Sequence, residues 1–311
     1  MVDVHAIAQH YGGKVCKGNA LIPTPGHSSR DRGTAITFNP SAPDGVLVAV
    51  YNGTTADALA VKDMLRRDGF IPTDGERNAR ELTPAERAAI VEAELTRHRE
   101  RLALERMAAT AAATLWNTAR TVDPAHPYLV AKSLRPFGIR QQGDALLVPM
   151  FDASFRLWNV QRILRDGIKL FMRDGRTAGL FWPHGVHMLD GKPTGGPLVI
   201  GEGFATMAAI HMATGHGVVA AMSARNLENV ARAMRKLFPN RQIVIAADDD
   251  SHLSENLGLN AARKAAQAVG GHVSVPLPLD KDAARGVSGT DFADIPRDQV
   301  AVRLAAALLG A

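Results

Sequence analysis

Three groups of carboxylates are spaced so that they could act on one substrate. Glu202 directly follows the apolar run PLVIG, Asp248, Asp249 and Asp250 follow QIVIAA, and Asp291 and Asp294 sit within SGTDFADI. If PLVIG and QIVIAA are strands of one parallel sheet, their carboxyl ends bring acidic side chains to the same edge, where open α/β sheets bind ligands. Gathered carboxylates repel and raise one another's pKa unless a cation compensates, and Mg²⁺ is a hard, oxygen-seeking ion that suits them. In Asp248-x-Asp250 the first and third side chains of an extended turn point the same way. The pair can share one cation while Glu202 reaches a second or takes a proton, an arrangement that phosphoryl transfer uses. A blander reading stays open: Asp248 to Asp250 can cap the helix that follows them, and Asp291 and Asp294 can do the same before the helix that begins near Pro296.

From Pro197 onward, apolar runs alternate with helical stretches: PLVIGEG, FATMAAIHMATG, GVVAAM, ARNLENVARAMRKLF, QIVIAADDD, ENLGLNAARKAAQAVG and HVSVP. The alternation predicts an α/β unit, a parallel sheet with helices on both faces, over residues 191–311. Leu227, Val230, Met234 and Leu237 recur at helical spacing and predict one apolar stripe packed on that sheet. Residues 121–190 read as short strands (ALLVPMFD, RLWNVQRIL, IKLFMRD, GLFWP), a small mixed α+β subdomain. This is the basic part of the chain, with nine Lys or Arg against five Asp or Glu between Thr121 and His187. Thr83-Pro84 with Glu86 forms a helix-start signal for a long connecting helix within 76–120. Its interleaved Arg and Glu residues suit a solvated face. Residues 1–75 read as a small β-rich module followed by a helix over TADALAVKDMLRRDG.

Composition narrows the classes. The 311 residues are 46% hydrophobic, enough for one sizeable core and a smaller one. Lys and Arg outnumber Asp and Glu by 36 to 31, and the pI of about 9.5 favours polyanionic partners. Cys16 is the only cysteine, so a disulfide framework and a thiolate-rich zinc site are both excluded, and a reducing cytoplasm is expected. No apolar run is long enough for a membrane span, and MVDVHAIAQHYGG lacks the pattern of a secretory leader.

GEGFAT at 201–206, IAADDD at 245–250 and DFADI at 291–295 resemble the three acidic motifs of Toprim domains, which occur in primases, topoisomerases and some nucleases. Upstream, HPYLVAKSLRPFGIR, ALLVPMFD, RLWNVQRILRDGIKLF and GLFWPHG resemble, in order, the segment before the Toprim unit in primases of conjugative plasmids, the TraC type, and related phage primases. The resemblance covers roughly His126 to Ile295. It implies a DNA primase, a nucleotidyltransferase that makes short RNA primers on a single-stranded DNA template from nucleoside triphosphates with Mg²⁺ or Mn²⁺. Asp248 and Asp250 would bind metal and Glu202 would serve as base or ligand. Asp249 would be a substitute ligand, and Asp291 with Asp294 would support the ligands or hold a further metal. Arg162, Lys169 and then Arg173 match basic residues that face template or nucleotide, and Trp158 is open to base stacking or to core packing. A separate replicative helicase is the expected partner, because the chain has no GxxxxGK[ST] loop.

Two departures from that pattern stand out. The N-terminal stretch resembles a zinc ribbon with its ligands replaced: His27 sits where a ligand is kept, but Ile22, Val50 and Thr54 occupy places of cysteine, so no zinc is expected. In the third motif Ala293 stands where an Asn usually precedes the last Asp. Two other classes remain in view, a Toprim-type metal-dependent nuclease using the same carboxylates on water, and a non-catalytic single-stranded-DNA-binding protein.

Overall fold

The computed structural model describes residues 2–40, 42, 44–51, 55–72, 83–189, 192–194, 196–249, 256–276 and 291–309. The chain divides into two compact units, residues 1–96 and 97–311.

In the first unit, β1 (Lys14–Cys16), β2 (Asn19–Ile22), β3 (Thr34–Phe38) and β4 (Val46–Val50) form an antiparallel sheet in chain order. Helix α1 (Val4–His10) is capped by Asp3, whose carboxylate accepts from the His5 and Ala6 N–H groups, and α2 is Thr55–Arg67. Ile7, Ile22, Ile36, Val46, Val61 and Leu65 are fully buried together. Ile22, at one expected ligand position of a zinc ribbon, is thus a core residue here. Val50 ends β4, His27 lies 3.8 Å from the Asp31 carboxylate, Cys16 is exposed, and Thr54 lies outside the described residues. Helix α3 (Pro84–Thr118) buries side chains only toward its C-terminus, at Ala108, Ala109 and Ala112. No described helix is long and apolar enough to cross a membrane.

The second unit holds two sheets. Helix α4 (Pro127–Ala131) precedes an antiparallel sheet of β5 (Arg140–Gln142), β6 (Ala145–Phe151), β7 (Leu157–Ile163) and β8 (Lys169–Phe171). After β9 (Trp182–His184) and a hairpin of β10 (His187–Leu189) and β11 (Lys192–Thr194) comes the expected alternation. It runs β12 (Leu198–Gly201), α5 (Phe204–Thr214), β13 (Gly217–Ala220), α6 (Leu227–Leu237), β14 (Ile243–Ala246), α7 (Leu257–Val269), β15 (His272–Ser274) and α8 (Arg297–Leu309). The sheet order is β15-β14-β12-β13-β9, with β12 to β15 parallel.

Both faces of this sheet are covered, and the strand period sorts the side chains. Val199, Val218, Ala220, Val244 and Ala246 join a core with α5 and α8, while Leu198, Ile200, Val219, Ile243 and Ile245 join one with α6 and α7. The α6 stripe buries Leu227, Val230 and Met234, each stabilising by about 2 kcal/mol, with Leu237 half-buried at its end. The sheet departs from a purely parallel one at its edge. Strand β9 comes from the GLFWPHG segment and runs antiparallel to β13, pairing Trp182 with Ala220 and His184 with Val218.

One backbone tie joins the sheets, and a side-chain bridge braces the edge strand. Phe151, at the end of β6, exchanges both backbone hydrogen bonds with Phe181, at 2.8 and 2.9 Å. The buried Asn226 carboxamide accepts from Gly179 N–H at 2.7 Å and donates to the Leu180 and Ala221 carbonyls at 2.8 and 2.7 Å. It holds the approach to β9 against the end of β13.

Removing that carboxamide leaves several buried backbone groups unsatisfied, at about 1–3 kcal/mol each. Asn226→Ala is therefore expected to lower stability by roughly 2–4 kcal/mol in urea titrations, and Asn226→Asp to lower it as well, since a carboxylate oxygen would face the two carbonyls. An unchanged urea midpoint in both variants would remove Asn226 as the brace.

Candidate active site

Glu202 follows β12 directly, and its backbone is fixed by the stretch that follows β13. Gly201 O accepts from Ala221 N–H at 2.8 Å and Glu202 O accepts from Met222 N–H at 2.7 Å. Met222 reaches that position with φ +69°, a left-handed conformation that costs a residue with a side chain about 1–3 kcal/mol. Helix α5 then starts at Phe204 with Gly203 as N-cap, a residue that has no side chain to cap it. Lys169 Nζ lies beside Gly203, 3.9 Å from where a Cβ would stand, so the lysine reaches the start of α5.

Asp248 lies two residues beyond β14 and is half-buried. Asp249 is engaged elsewhere, accepting from Asn256 Nδ2 at 2.6 Å, while Asn256 Oδ1 caps α7 through the Leu259 N–H at 3.1 Å. Helix capping thus falls to Asn256, with Asp249 bracing it, and Asp248 is left to the pocket. Asp250 lies outside the described residues.

A pocket of about 310 Å³ opens at this end of the sheet. Glu202, Gly203, Thr206, Met222, Asp248 and Asp291 line it from residues 197 onward. Tyr128, Lys132, Gln161, Gly167 and Lys169 line it from the preceding segment. The structure therefore brings Glu202, Asp248, Asp291 and Lys169 to one cavity. It does not bring Arg162 or Arg173 there. Neighbouring side chains on a strand point to opposite faces, so with Gln161 facing the pocket Arg162 turns away, its Nε buried without a hydrogen bond. The Arg173 side chain is 95% exposed and lies 3.7 Å from Asp174. Trp158 donates to Asp152 at 2.7 Å and is flanked by the Arg156 and Arg176 guanidinium groups at 4.9 and 5.2 Å.

Charge at Asp291 is disfavoured by its surroundings on balance. Burial first, and then the negative charge of Asp294, push its pKa up, against the Ala293 N–H bond at 2.6 Å and the charges of Lys132 and Lys169. Ala293 thus supplies a backbone donor to Asp291. Asp294 binds Lys132 at 2.6 Å; burial alone would lower the lysine pKa, but that bond and the field of both carboxylates raise it. The Tyr128 hydroxyl is pushed up to about 12, by burial first and then by Asp291 and Asp294.

Tyr128, Lys132 and Gln161 were not among the residues singled out from the sequence. Only the helix start at His126-Pro127 carried a local signal, with His126 Nδ1 accepting from Tyr128 N–H at 3.2 Å. Among the described residues no three His, Cys, Asp or Glu side chains stand close enough to form a ready-made metal cage. The donors that do face the pocket are carboxylates from three different loops. That set fits Mg²⁺, which keeps several waters and takes one or two carboxylates along with substrate phosphates.

Residues 197–301 match the Toprim domain family. The chain is 39% identical over 163 residues to a DNA primase TraC of Escherichia coli, covering 50% of this chain and 11% of that protein. It is 39% identical over 158 residues to a second DNA primase TraC of Escherichia coli, covering 49% of this chain and 15% of that protein. The chain therefore spans only a small part of the length of the curated relatives it matches. Among solved structures, the primase fragment of the bacteriophage T7 primase-helicase protein aligns with a TM-score of 0.42 at 15% identity, over 61% of this chain and 80% of that one. The DnaG primase catalytic domain bound to single-stranded DNA aligns with a TM-score of 0.43 at 12% identity, over 68% and 83%.

The raised pKa of Asp291 has a signed consequence for stability. Whatever the protonated carboxyl contributes is fully present below the ordinary value of 3.8 and is lost as pH rises through the folded-state pKa. Asp291→Asn keeps an acceptor for Ala293 N–H and carries no charge. The variant is expected to melt above the unmodified protein at pH 7 without divalent cations, with the gap closing as pH falls toward about 4. The reverse order at pH 7 would mean that the two lysines outweigh burial.

Proposed function

We propose that this chain is a DNA primase that makes short RNA primers on single-stranded DNA from nucleoside triphosphates. The observation that carries the reading is the shared pocket: three carboxylates, Glu202 and Asp248 from strand ends and Asp291 from the stretch before α8, with Lys169 and Lys132 beside them. The Toprim match over 197–301 and the identity to two DNA primases TraC support it.

In this reading Asp248 and Asp291, with Asp250 and Asp294 as further candidates, would hold one or two Mg²⁺ or Mn²⁺ ions. A bound divalent cation neutralises phosphate charge and polarises the phosphoryl group. The side chains supply the rest. Lys169 and Lys132 offset negative charge on the triphosphate. The 3′-hydroxyl oxygen of one nucleotide forms a bond to the α-phosphorus of the next, pyrophosphate leaves, and Glu202 is positioned to take the hydroxyl proton or to serve as a further ligand. Arg162 and Arg173, which lie outside the pocket, remain candidates only for template phosphates along the strand. A separate helicase is the partner this activity calls for, since a primase acts where duplex has been opened. The site requires no zinc.

Glu202→Gln and Asp248→Asn are expected to lower primer synthesis on mixed single-stranded templates by at least about 100-fold with Mg²⁺. Binding of the DNA itself should persist in both. Unchanged synthesis in either variant would refute the reading, and metal-dependent nicking of plasmid DNA without added nucleotides would move the assignment to a nuclease.

A further inference from the structure

The described buried carboxamides differ in their partners, and one of them, Gln299, lies away from the pocket with its Oε1 buried and without a hydrogen bond. Gln141 donates to Gly143 O and accepts from Asp123 N–H, both at 2.9 Å. Asn159 donates to Arg176 O at 2.7 Å and accepts from Val160 and Met172 N–H. Asn226 is likewise saturated, by Gly179, Leu180 and Ala221. Gln161 is different: it is 4% exposed and lines the pocket, and its side chain forms no hydrogen bond with any described residue. The Gln161 carboxamide is therefore set apart by opening on the pocket, where a bound molecule can supply its partners.

The surroundings narrow what that is. Gln161 lines the pocket from β7, beside Tyr128 of α4 and Gly167 of the turn before β8, while Glu202 and Asp248 come from strand ends of the other sheet and Asp291 from the stretch before α8. The acidic groups and Lys169 suit the phosphate part of a nucleotide. An uncharged carboxamide, with both donor and acceptor, suits hydroxyl groups, which also have both. On the proposed reading, on which this inference rests, the template reads the base edge. A protein group that also read the base would oppose templating. What the protein can read in every nucleotide is the part common to all four, the sugar, and in a single pocket the sugar is the portion adjoining the phosphates.

We propose that the Gln161 carboxamide hydrogen-bonds the sugar hydroxyls of the incoming nucleotide and so sets the preference for ribonucleotides over deoxyribonucleotides. It is a specificity residue, with no part in moving the proton or the phosphate.

The test compares ATP with 2′-deoxy-ATP, by calorimetric titration with Mg²⁺ and by kcat/KM in primer synthesis, for the unmodified protein, Gln161→Leu and Gln161→Glu. The unmodified protein should favour ATP. Gln161→Leu should weaken ATP roughly 10- to 30-fold, the loss of a hydrogen bond to a buried partner, while leaving 2′-deoxy-ATP nearly unchanged, so that the two affinities converge. Gln161→Glu, which is closest in shape and keeps the acceptors but not the donor, should lose part of the preference and guards against a misfolded leucine variant. The proposal is overturned if the unmodified protein binds both nucleotides alike or neither, or if the variants weaken both in parallel. Because the titration needs no turnover, convergence of affinities without any primer synthesis would retain the sugar contact and sink the primase reading, whereas synthesis with an unaltered ratio would do the opposite.

Discussion

Like charges gathered at one end of a sheet repel, and much of the second unit can be understood as the means of keeping them there. Asp291 and Asp294 lie close enough for the charge of one to raise the pKa of the other. Compensating charges come from far back in the chain: Lys132 follows α4 and Lys169 opens β8. The acidic loops and the basic segment are therefore not independent. Without the upstream lysines the Asp291 pKa would be pushed further up, and without the carboxylates Lys132 would be a partly buried charge lacking a partner.

Such mutual dependence requires that the two sheets hold a fixed relation, and the backbone exchange between Phe151 and Phe181 supplies one link between them. The Asn226 bridge acts within the second sheet, fixing the segment before β9 to the end of β13 through main-chain groups. The left-handed Met222 belongs to the same scheme: it bends the chain after β13 so that its N–H meets Glu202 O. Strain at one residue fixes the backbone of another that faces the pocket.

How far all this could be read from the sequence depended on whether a signal was local. Glu202, Asp248 and Asp291 stood out because each follows or precedes an apolar run short enough to be a buried strand or a helix start. The α6 stripe and the strand–helix alternation were visible for the same reason. Gln161 and Lys132 were not, since what matters about them is an approach across tens of residues that no spacing encodes. Arg162 was named beside Lys169 on the resemblance, and the pleat that gives the pocket face to its neighbour Gln161 is not something a resemblance of motifs displays. The direction of β9 was hidden too, because FWPH reads identically whichever way its neighbour runs. Asp249 shows the value of holding two readings open, as it braces a helix start while its neighbour Asp248 faces the cavity.

The antiparallel edge strand also bears on how this architecture can be cut and joined. The stretch that matches the Toprim family begins at residue 197, yet β9, which covers the outer edge of β13, lies before it. A recombination event that moved only the matched stretch would carry away a sheet with bare N–H and C=O groups along one border, a surface prone to pairing with foreign strands. Inheritance of this sheet is thus tied to inheritance of the segment upstream, and the smallest transplantable piece is larger than the recognisable one.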